Sequence, residues 1–108
     1  PTIIKLCDEL VELVNEKTGM THQAKYNKFY IGLSDGERVN NFVIFTPRKK
    51  HLYFRARVDA PAWTTRCEDA GLEAAVERDG RLGVKLDAAS FKKNRELIGE
   101  IAQAAAAD

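Results

Sequence analysis

The sequence predicts an α+β domain with a mostly antiparallel sheet, in the order helix, three-stranded meander, short helix, β-hairpin, helix (α-β-β-β-α-β-β-α). Three observations point there. Apolar residues recur every three or four positions at both ends of the chain, alternating or continuous apolar runs fill its middle, and an Asp-Gly turn separates two short apolar runs near the C-terminal helix. Strands grouped apart from helices argue against a doubly wound nucleotide fold. With 108 residues, 44% of them hydrophobic and 31% charged, residues 1–108 form one domain with a single core.

Thr2 caps a first helix whose apolar positions Ile3, Leu6, Leu10, Leu13 and Val14 share one stripe, with Glu9, Glu12 and Glu16 on the wet side and Gly19 as its stop. Thr21 to Asn27 is polar and reads as a loop. Lys28 to Leu33 alternates Phe29, Ile31 and Leu33 against Tyr30 and Gly32, a strand pattern. Ser34-Asp35-Gly36-Glu37-Arg38 is a turn by composition. The run Phe42-Val43-Ile44-Phe45 reads as a strand buried on both faces or nearly so, ended by Pro47, and Arg48-Lys49-Lys50 makes the next bend. In the third strand Leu52, Phe54, Ala56 and Val58 point one way and Tyr53, Arg55 and Arg57 the other. After Asp59, a short helix with Pro61 in its first turn carries Trp63 and Cys67 and stops at Gly71. Leu72 to Arg78 and Leu82 to Leu86 flank Asp79-Gly80-Arg81, where glycine supplies the positive φ that the hairpin turn needs. A final helix starting at Asp87 or Ser90 presents Phe91, Leu97, Ile98, Ile101 and Ala105 on one face and fades into an alanine tail.

The net charge of +1 hides an uneven distribution: −2 over residues 1–20, +5 over 21–60 and −2 over 61–108. A basic middle between acidic flanks suits an anionic partner, though not with the overall basicity of a dedicated nucleic-acid binder. No apolar run is long enough for a membrane span, and no basic start precedes an apolar stretch as in a secretory signal, so a cytoplasmic location is expected. The chain enters a helix directly from Pro1 without a methionine, which suggests a piece of a longer polypeptide.

Cys7 and Cys67 are too far apart and too few for a disulfide-stapled fold, and both read as buried thiols. With His22 and His51 they have no zinc-ligand spacing, so no metal and no cofactor is expected. No phosphate-loop or dinucleotide glycine pattern exists. A metal-dependent nuclease needs a carboxylate pair with a nearby lysine. Asp35, Glu37, Asp59 and Lys85 are available, but Gly83 stands where the acid two residues before the lysine belongs. Neither cysteine sits at a nucleophile elbow or a helix N-terminus, and no catalytic residue is assigned.

The binding candidates are Tyr53, Arg55 and Arg57 on the third strand, Arg48, Lys49 and Lys50 with His51 at the bend, and the aromatics Tyr30 and Trp63. Arginine grips phosphate with a planar fork, and tyrosine stacks on a base. Ordinary surface chemistry competes with this reading: the wet face of a strand is usually charged, and lysines at a bend keep sheet edges from aggregating. Trp63 is either a core anchor or one wall of a pocket formed where its helix covers the stripe.

The strand Tyr30-Ile31-Gly32-Leu33, followed by Asn41-Phe42, Pro47, Lys49-Lys50 and Leu52, then a hydrophobic hairpin and a final helix with Leu97-Ile98, resembles a known family over about residues 26–102. That family is the small domain of unknown function at the C-terminus of proteins labelled predicted transport proteins, also found beside endonuclease and restriction-system domains. A longer, more polar first turn and the charges at Arg55 and Arg57 depart from its pattern. The resemblance implies an accessory module, often in nuclease company, and transfers no catalytic residue. Two functions are therefore expected of this chain: a non-catalytic accessory domain that binds nucleic acid or another anion on a basic sheet face, or a module for homo- or hetero-oligomeric protein interaction in which Tyr30, Tyr53 and Trp63 are covered by another chain.

Overall fold

A computed structural model describes residues 2–19, 21, 23–26, 31–34 and 42–107. The chain runs α1 (Thr2–Thr18), β1 (Gln23–Tyr26), β2 (Ile31–Ser34), β3 (Val43–Pro47), β4 (Leu52–Ala56), α2 (Ala60–Asp69), β5 (Glu73–Val76), β6 (Leu82–Leu86), α3 (Ala88–Lys93) and α4 (Arg95–Ala106). The strands form one sheet in the order β1-β2-β3-β4-β6-β5, and every neighbouring pair is antiparallel.

The α+β class and the antiparallel sheet agree with the sequence, but two elements differ. Gln23–Tyr26 is a strand rather than a loop, so the meander has four strands instead of three. Its ladder with β2, Gln23 opposite Ser34 and Tyr26 opposite Ile31, is made by main-chain groups, which side-chain polarity does not report. The final helix is two helices. Asp87 and Ser90, the two alternative starts, cap α3 together: the Ser90 N–H donates to Asp87 Oδ1 at 2.8 Å, and the Asp87 N–H donates to Ser90 Oγ at 2.9 Å. Asn94 then leaves helical geometry (φ −116°, ψ 24°) and its side-chain amide donates to the Ser90 carbonyl at 3.0 Å, separating α3 from α4.

Register explains the core. Phe45 lies opposite Phe54 and Phe54 opposite Val84, so one face of the sheet carries a continuous apolar row, with the two phenylalanine rings stacked 5.9 Å apart. Val43, Leu52, Ala56, Leu82 and Leu86 complete this face. Onto it α1 lays Ile3, Leu6, Cys7, Leu10, Leu13 and Val14, and α4 adds Ile98, Ile101, Ala102 and Ala105. Phe91 of α3 and Ala60 and Cys67 of α2 join the same cluster. Each fully buried Leu, Ile or Phe contributes about 1.5–3 kcal/mol relative to exposure.

Among the described residues, then, all four helices cover one face of the sheet. The other face, built from Ile44, Thr46, Tyr53, Arg55, Ala75, Gly83, Lys85 and Glu73, carries none of the described helices.

Candidate nucleic-acid interface

The helix-free face is organised by strand register. One row across it is Thr46, Tyr53, Lys85 and Glu73, and the next is Ile44, Arg55, Gly83 and Ala75. Period-two alternation alone brings Tyr53 and Arg55 to this face, because Leu52, Phe54 and Ala56 take the core side. Ladder neighbours then decide what each side chain meets.

Arg55 does not stand free. Its Nε donates to Glu77 Oε1 at 2.9 Å, and its Nη1 donates to Thr46 Oγ1. The Arg55 and Glu77 side chains retain 25% and 32% of their exposure, so water screens this pair only in part. Glu77 reaches Arg55 by crossing over Gly83, which sits between them. A Cβ built on Gly83 would come within 2.5 Å of Glu77 Oε1 and 2.9 Å of its Cδ. The missing side chain at Gly83 of β6 is what lets the carboxylate lie across the sheet.

Tyr53 is surrounded as well. The Arg55 guanidinium lies 5.5 Å and the Arg48 guanidinium 5.8 Å from its ring centroid, and His51 meets it edge-on at 5.3 Å. A base stacking on Tyr53 therefore competes with resident guanidinium groups. Beside the ring, Tyr53, Glu73, Ala74, Ala75, Glu77, Gly83 and Lys85 line a depression of about 270 Å³. Lys85 and Glu73 approach to 3.9 Å across it.

The bend between β3 and β4 has a different character. It is closed by the Arg48 N–H donating to the His51 carbonyl at 2.8 Å. Arg48, Lys49 and Lys50 are all exposed, and no acidic side chain lies within ion-pairing distance of any of them among the described residues. Arg48 bonds only weakly, to the Pro47 carbonyl at 3.3 Å, apart from its contact with Tyr53.

The remaining candidates are dispersed. Arg57 lies past the end of β4, where its N–H donates to the Phe42 carbonyl at 2.9 Å, and it lines a cleft with Val58, Asp79, Gly80 and Arg81. Six residues of strand, about 20 Å, separate it from His51. Trp63 packs against the core from the helical layer, with Arg66 stacked 4.6 Å from its ring and bonded in turn to Glu100 of α4 at 3.0 Å. Its helix packs on the opposite, core side of the sheet from the stripe, and among the described residues Trp63 and Tyr53 line no common pocket. Tyr30 lies outside the described residues, as do Asp35, Glu37 and His22.

Reactive chemistry is sparse. Burial pushes the Cys7 and Cys67 thiols from 9.0 up to about 11; Asp8 adds to the effect at Cys7, and at Cys67 the Arg66 charge opposes it. Asp59, weighed above as a metal ligand, precedes α2 as its N-cap residue. Among the described residues no three His, Cys, Asp or Glu side chains converge, and no helix is long and apolar enough to cross a membrane.

Glu77 and Thr46 carry no signal in the sequence that points to this site. A glycine between Leu82 and Val84 in a strand is a signal of close approach, and it was read there only as a missing acid. No family model, no curated protein and no solved structure matches this chain.

Proposed function

We propose that this chain is a non-catalytic accessory domain that binds nucleic acid through the Arg48-Lys49-Lys50 bend and the adjoining Tyr53 edge of the helix-free sheet face. The observation that carries this reading is the contrast between the bend and the sheet face it adjoins. Three consecutive exposed cations have no acidic partner among the described residues, while Arg55 and Lys85 on the adjoining sheet face are each paired with a carboxylate. Cations without an acidic partner release counterions when they meet phosphate, and they have no ion pair to break first. The expected accessory role follows the family resemblance, with no activity carried over from it.

Charge reversal tests it. Lys49→Glu with Lys50→Glu should weaken binding to mixed-sequence DNA or RNA by more than about tenfold. For the native chain, three phosphate contacts correspond to a log–log salt slope of about −2 to −3. Salt-independent binding, or binding unchanged by the reversal, would sink the reading.

A second reading, self-association or docking to another protein, is favoured by β5. This strand is an edge of the sheet, and Val76 on it is 50% exposed. Sedimentation at constant salt separates the two readings, since only association makes the mass rise with protein concentration.

A further inference from the structure

The Arg55–Glu77 pair is built in a way that the fold itself does not require. Glycine inside a strand weakens it, and here it leaves no side chain between Ala75 of β5 and Arg55 of β4 on the open face. What fills that place is a carboxylate, held against a guanidinium that also bonds Thr46. A carboxylate and a phosphate make the same charge-assisted contact to an arginine fork.

We propose that Glu77 is a built-in occupant of an anion site at Arg55, seated over Gly83, and that it limits how tightly the sheet face holds a phosphate. This inference rests on the nucleic-acid reading of the same face. The bend supplies the initial contacts at Arg48, Lys49 and Lys50. Arg55 is reached only when a phosphate replaces Glu77, which then swings off Gly83 toward solvent. The exchange trades one charge-assisted pair for another, so the face binds polyanions more weakly than its cations alone would allow. Lone anions, which lack the bend contacts, gain little from displacing Glu77.

The experiment measures binding of a short fluorescein-labelled mixed-sequence DNA, single- and double-stranded, at low salt to the native chain and four variants. Glu77→Gln should bind roughly three- to tenfold more tightly. Glu73→Gln makes the same charge change on the same face without touching Arg55; it releases Lys85 from a longer and more exposed pair, 3.9 Å against 2.9 Å, and should gain less than about twofold. Gly83→Ala leaves every charge in place but puts a methyl group where Glu77 lies; the carboxylate is the flexible end of a side chain and moves, so affinity should rise here too. Adding Arg55→Gln to Glu77→Gln should cancel the gain. If the native chain binds through the bend but Glu77→Gln and Gly83→Ala match it, the inference is overturned and the nucleic-acid reading stands. If neither the native chain nor Glu77→Gln binds, both fall. If Glu73→Gln gains as much as Glu77→Gln, bulk charge explains the effect and the occupant role is overturned.

Discussion

At the scale of single residues, chemistry is decided by what each side chain meets rather than by its type. Arg48 and Arg55 are both arginines beside Tyr53, yet one is exposed at a bend and the other is tied to Glu77 and Thr46. The two cysteines have the opposite fate, sealed in the core. Because burial raises their pKa to about 11 from 9.0, the folded chain keeps both thiols protonated where the unfolded chain loses the proton. The stability this contributes is fully present below pH 9 and is lost as pH rises through about 11. Denaturant midpoints should fall across that window, and Cys67→Ala should flatten the decline. Native-state alkylation at neutral pH should be negligible at both sites. Thr64 carries the opposite kind of signal, a buried hydroxyl without a hydrogen-bond partner among the described residues. Thr64→Val should leave stability unchanged or raise it by up to about 1 kcal/mol, read from the thermal midpoint.

At the scale of elements, the ends and turns are held by local bonds that single substitutions can probe. In the β5–β6 hairpin the Glu77 N–H donates to the Arg81 carbonyl at 2.8 Å and the Gly80 N–H to the Glu77 carbonyl at 3.0 Å, with Gly80 at φ +87°. This is a three-residue loop with glycine in the left-handed position. Gly80→Ala should cost about 1–2 kcal/mol in chemical denaturation, because an L side chain is strained there. It should also loosen the start of the turn, where Glu77 resides. At α3, the Asp87 carboxyl is held below the usual carboxylate range, chiefly by the Ser90 N–H, in an exposed setting. Its contribution is present above the ordinary carboxylate pKa and lost as pH falls through the lowered one. Asp87→Ala should cost about 1 kcal/mol. Asp87→Asn, which keeps an acceptor, should cost less.

At the scale of the whole molecule, the described helices all pack on one face of the sheet and leave the other without one. The layer contact is the stability reservoir: Phe54, fully buried and stacked on Phe45, should cost about 3–5 kcal/mol when replaced by alanine. Substitutions at Lys49 and Lys50 should leave the thermal midpoint nearly unchanged, since both are exposed and unpaired among the described residues. A differential scan of these variants therefore separates the residues that hold the fold from those available to a partner.

Much of this division is legible in the chain. The stripe of α1, the core positions Val43, Phe45, Leu52, Phe54, Leu82, Val84 and Leu86, the Asp-Gly hairpin and the exposed basic bend all follow from local periodicity and turn chemistry. These are properties of neighbours in sequence, and burial of one face enforces them. The strand at Gln23–Tyr26 was not legible, because an edge strand is held by main-chain bonds to β2 and tolerates polar side chains. The fate of Arg55 was not legible either. It depends on Gly83 lying opposite it in the ladder and on Glu77 arriving from the next strand, 22 positions away in the chain. Sequence determined which residues face away from the core; tertiary register decided which of their charges were already spoken for.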